Sequence, residues 1–100
     1  MNPTYSERFE ANLRLHVLAV LAAAGTEVNV PILRASIEQA TPHRPGALQL
    51  RQELVWLSER ALVTLRRIGA SIAAATITER GEDVALGREH LAGVDRPDTH

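Results

Sequence analysis

Between Pro45 and Ile77 the apolar pattern changes its period once, abruptly, and that change limits the folds open to the chain. Setting Leu50 at zero and advancing about 100° per residue, Ala47, Leu50, Leu54, Leu57 and Ala61 share one face of a helix. Alternation then takes over at Leu62-Val63-Thr64-Leu65, followed by Arg66-Arg67 and Ile68. A turn at Gly69-Ala70-Ser71 leads into a second strand from Ile72 to Ile77. The spacing predicts a helix that feeds directly into a tight hairpin with arginines near its tip.

The flanking segments supply three more helices. Thr4-Tyr5-Ser6-Glu7 is a capping-box pattern opening a helix that runs to about Ala24, where Gly25 stops it. One side of that helix carries Phe9, Leu13, Val17, Val20, Leu21 and Ala24; a second apolar row, Leu15, Leu18 and Ala22, lies on another face. Thr26 to Val28 can add a short strand beside the hairpin. Asn29 is then the N-cap of a helix with Pro31 near its start and Ile32, Leu33, Ile37 and Ala40 to bury. Thr41 to Gly46 breaks the chain before the third helix, and Thr78 caps a fourth that carries Val84 and Ala85. The expected fold is α+β, mainly helical: a winged helix-turn-helix in the order α1-β1-α2-α3-β2-β3-α4. Residues 1–92 form one domain in this reading, and 93–100 a flexible polar tail.

Charge is unevenly placed. The chain of 100 residues has a formal net charge of −1, but residues 44–67 hold five arginines against Glu53 and Glu59. That leaves a basic zone on the helix–hairpin unit of a chain that is otherwise acidic. All eleven basic residues are arginine, which favours forked contacts to phosphate but also matches a simple coding preference. Cysteine is absent, so disulfides, thiolate nucleophiles and cysteine zinc sites are excluded. His16, His43, His90 and His100 share no ligand spacing, and no phosphate loop, serine elbow or paired catalytic carboxylates occur. The reading is of a protein that is not an enzyme and takes no metal or cofactor. Without an apolar run of 18 residues or a signal-peptide layout, it is expected in the cytoplasm and not in a membrane.

Several stretches resemble a known group. RLHVLAVLAAAG, QELVWLSERALV, ATITERGEDVALGRE and GVDRP, in that order, resemble a small winged-helix family of Mu-like bacteriophages and prophages, itself distantly similar to ArsR-, MarR- and PadR-type regulators. The likeness covers about residues 10–97. Its most specific pieces are ELVWL at 53–57 with LV at 62–63, and TERGEDVALGR at 78–88, whose T-x-x-G is similar to the helix start after the wing in such regulators. The resemblance implies a winged helix and, through those regulators, a role in transcription. Ala61 departs from it, standing where such domains place glycine before the first wing strand, which puts the left-handed turn there in doubt.

In a winged helix on double-stranded DNA, the third helix enters the major groove and the wing touches phosphate or the minor groove. The residues to do this are Arg44, Gln49, Arg51 and Gln52, with Arg66 and Arg67 on the wing. The competing expectation is a protein partner on the outer face of the third helix, through Leu48, Val55 and Trp56, since apolar groups suit a protein surface. Glu53 and Glu59 on or beside that surface would repel phosphate. Leu15, Leu18 and Ala22 are expected to meet a second copy in a homodimer, or else to be buried under the C-terminal segment. Trp56 also has a second fate, packed against the hairpin or the last helix.

Overall fold

The computed structural model describes residues 4–97 and contains four helices and one three-stranded antiparallel sheet. The elements are α1 (Tyr5–Ala24), β1 (Val28–Asn29), α2 (Val30–Ala40), α3 (Ala47–Glu59), β2 (Val63–Ile68), β3 (Ser71–Ile77) and α4 (Glu79–Ala85). Their order is the expected one, and the arrangement is compatible with a winged helix. Positions 98–100 of the expected tail lie outside the described residues.

The helix starts form as their caps dictate. The Thr4 hydroxyl accepts from the Glu7 amide at 3.1 Å while the Thr4 amide donates to Glu7 Oε2 at 3.3 Å. Asn29 Oδ1 accepts from the Ile32 amide at 2.9 Å, with Pro31 in the first turn where a missing N–H is no loss. Thr78 does two jobs. Its hydroxyl accepts from the Gly81 amide at 3.0 Å and donates to the Ala61 carbonyl at 2.7 Å, locking the start of α4 onto the end of α3. Gly81 completes that joint: a Cβ there would collide with the Leu62 carbonyl and with the Ile77 side chain. The T-x-x-G motif is therefore a packing device.

Ala61 does adopt the left-handed conformation, with φ 62°. The turn expected to be in doubt is present without its glycine. The flanking bonds, Ala61 N to Ser58 O at 3.0 Å and Leu62 N to Leu57 O at 3.0 Å, hold it at a cost of about 1–2 kcal/mol.

β3 is the middle strand, pairing β1 at Val28↔Ala75 and Asn29↔Ala74, and β2 from Val63↔Ile77 to Ile68↔Ser71. A register shift between Arg66↔Ala74 and Arg67↔Ile72 leaves Ala73 as a bulge. The sheet, α2 and α4 pack around α1. Leu13, Val17 and Leu21 of α1 are fully buried with Leu33, Ile37, Leu50, Leu54 and Leu57, each such side chain contributing about 1.5–3 kcal/mol.

For the second row of α1 the burial alternative holds, and one expectation about the C-terminal segment fails. The second row of α1 is not left for another subunit: Leu18 is fully buried, Leu15 is 8% exposed, and Ala22 is half-buried against the core. Between Glu10 and Ala22 of this helix only Ala19 is exposed. The segment after α4 is also not a loose tail from Gly93 onward. Val94 is buried, the Asp95 amide donates to the Ala11 carbonyl at 3.1 Å, and Asn12 Nδ2 donates to Asp95 Oδ2 at 3.1 Å. This strap lies along α1.

Candidate nucleic-acid interface

α3 buries Leu50, Glu53, Leu54 and Leu57, which turns Leu48, Gln52 and Glu59 outward. Leu48 is 71% exposed. A groove of about 390 Å³ separates α3 from the hairpin and is lined by Arg51, Gln52, Val55, Ala70, Ser71 and Ile72. On the other flank of α3, a groove of about 400 Å³ is lined by Tyr5, Ser6, Phe9, Glu10, Gln49, Gln52 and Glu53. Gln52 lines both and forms the ridge between them. Gln49 therefore faces the first turns of α1 and not the wing.

The arginines divide by what already holds them. Arg51, which lines the wing groove, donates from Nε to the Ile72 carbonyl at 3.1 Å, a bond that ties α3 to β3. Arg44, exposed just ahead of α3, bonds the Thr41 and His43 carbonyls through one nitrogen, at 2.8 and 2.9 Å. Arg67 is exposed and makes no ion pair among the described residues. Its strand partner is Ile72, so it shares the face that lines the groove; Arg66, one residue earlier, takes the opposite face with Ala74. Arg66 Nε pairs with Glu27 Oε1 at 2.9 Å, both side chains remaining about half exposed. The two wing arginines lie on opposite faces, and only Arg66 is ion-paired among the described residues.

Two groups expected on the outer surface of α3 are elsewhere. Glu53 is buried, and its Oε1 accepts from Arg14 Nε at 2.8 Å. Arg14 also donates to the Gly93 carbonyl at 3.1 Å and to Glu10 Oε2 at 3.1 Å, so each of its three nitrogens is used. Trp56 is half-buried between two guanidinium groups, Arg14 at 3.9 Å and Arg60 at 3.6 Å from its ring centre. It packs against Gly93 of the strap, which neither the hairpin nor the last helix of the alternative includes, and does not stand on a free face. Of the proposed partner surface, Leu48 alone stands fully out; Val55 is half-buried in the wing groove.

Arg14 and His43 were not singled out by the sequence as structural hubs. Arg14 falls, on the helical wheel, between the Leu21 and Leu18 rows, and a charge wedged between two apolar rows is the signal of a buried pair. His43 is buried in the α2–α3 connection with Nε2 at 2.7 Å from Asn12 Oδ1, beside Phe9 and His16. Burial, then the neighbouring His16, lowers its pKa. Its Nδ1 is buried without a partner, which suits the neutral ring with the proton on Nε2. Among the described residues no three His, Asp or Glu side chains converge as a metal site requires, and no helix is long and apolar enough to cross a membrane.

The fold and this face define a small α+β domain, winged-helix-like, with a helix ridge beside an arginine-bearing hairpin. The chain belongs to the family of the uncharacterized protein gp26 of Escherichia phage Mu, to which it is 37% identical over 84 residues, 84% of this chain and 85% of that protein. No protein-family model matches the chain. No solved structure matches it.

Proposed function

We propose that this phage-type protein binds double-stranded DNA in transcriptional control, with the α3 ridge in the major groove and the wing on the backbone. The observation that carries the reading is the relocation of Glu53. Once its carboxylate is buried and neutralised by Arg14, the groove between α3 and the hairpin keeps Arg51 and Arg67 at its edge with Arg44 beyond the start of α3. Gln52 on the ridge is placed to bond a base edge, and Leu48 and Val55 suit the methyl group of thymine. Packing of Trp56 between Arg14 and Arg60 and against Gly93 takes the largest apolar group off the open face and weakens the case for a protein partner there.

The contacts are few, so binding is expected to be salt-sensitive and modest. Arg44, Arg51 and Arg67 would release about three counterions, a loss of about 40-fold in affinity between about 50 and 200 mM salt. A titration of random-sequence duplex by fluorescence anisotropy tests this. Arg67→Ala should weaken binding and flatten the salt slope by about one, whereas Glu59→Gln should strengthen it. No binding at the lower salt would overturn the reading, and leave Leu48, Val55 and exposed Ile68 of the wing as a surface for a protein in phage development.

A further inference from the structure

The Arg66–Glu27 pair spans the whole width of the sheet. Arg66 is on β2 and Glu27 immediately precedes β1, with β3 running between the two. The residue of β3 opposite Arg66 is Ala74, which is also opposite Asn29 of β1. An alanine in the middle strand leaves room for the arginine to reach across to the far edge. Ala74 itself has no exposed surface, consistent with a side chain lying over it. A larger residue at 74 would stand in that path.

We propose that Glu27 is an intramolecular competitor for phosphate, holding the Arg66 guanidinium until a nucleic-acid backbone displaces it. The inference rests on the DNA reading above and concerns the same wing, on the face of its strands opposite the α3 groove. A carboxylate presents two oxygens to the guanidinium fork as a phosphate does, so the two ligands are alternatives for one group. The pair is half exposed, so it opens at small cost: an exposed ion pair holds its partner by no more than about fivefold in equilibrium terms. That is weak enough for a polyanion to break and strong enough to lower affinity for a weak one. Arg67 has no such competitor on its face, so the wing carries one arginine that is ready and one that is held in reserve.

The experiment is a double-mutant cycle in the full chain, read by anisotropy of a labelled random-sequence duplex at two salt concentrations. Glu27→Gln should raise affinity about two- to fivefold at low salt and steepen the salt slope, the gain fading as salt screens the pair. In an Arg66→Ala background the same Glu27→Gln change should gain nothing. An equal gain in both backgrounds would overturn the proposal, because it would mark Glu27 as a diffuse repulsive charge. Unchanged affinity on Glu27→Gln, with the unsubstituted protein binding, would also overturn it. Absence of binding by the unsubstituted protein fails the DNA reading instead, and the amide shifts of residues 27 and 66 then report whether the pair itself exists.

Discussion

The two flanks of α3 use arginine in opposite ways. On the flank facing α1, Arg14 is 10% exposed, bonded through all three nitrogens, and stacked on Trp56. On the flank facing the wing, Arg67 stands in solvent and Arg51 spends a single nitrogen on the Ile72 carbonyl. The first arrangement holds helix, strap and helix together; the second leaves charge available. A count of charges along the sequence sees neither, because it credits Glu53 to the surface and ignores Arg14 altogether.

The sharpest break between the flanks is in stability. Arg14→Ala leaves the Glu53 carboxylate buried and unpaired, and should destabilise the fold by about 3–5 kcal/mol in urea titration. Arg67→Ala should change stability by less than about 0.5 kcal/mol in the same assay. Equal effects would erase the distinction. Gly93→Ala tests the strap from its own side. A Cβ at that position would lie 2.6 Å from the Trp56 ring, and φ is +95°, so a loss of about 1–3 kcal/mol is expected. If the strap were a loose tail, the change would be silent.

Ala61→Gly concerns the joint between α3 and the wing. Relief of the left-handed strain should stabilise the protein by about 0.5–1 kcal/mol, visible as a raised Tm. The smallest effect is that of pH. His43 has a lowered pKa in the folded protein, so near and below 6.5 the unfolded chain binds more protons than the native one. Stability is therefore complete above that range and falls as pH drops through it. His43→Gln should flatten the dependence in urea titrations at successive pH values.

Much of the fold was legible because the relevant signals are local. Thr4, Asn29 and Thr78 cap helices through neighbours three residues away, and the switch from helical to alternating period marks where β2 begins. The losses come from contacts between residues far apart in the chain. Leu15 and Leu18 read as a spare row because nothing in α1 reveals that the sheet, α2 and α4 close around it. Gly93 and Val94 read as tail because their anchors are Arg14, Trp56 and α1. Within the candidate interface, Arg51 and Gln52 lie on α3 near where helical periodicity put them, and Arg44 just ahead of it. Arg66 and Arg67 were paired by adjacency, although strand geometry alone already assigns them to opposite faces.

Amide chemical-shift mapping on addition of a short duplex tests the central claim most directly, since it reports where the nucleic acid sits. The account expects changes concentrated at Arg44, Leu48, Arg51, Gln52, Val55 and Arg67, with the Arg14 strap region still. Shifts gathered instead around Val20, Ile32 and the far side of α2, or none at all at low salt, would contradict it.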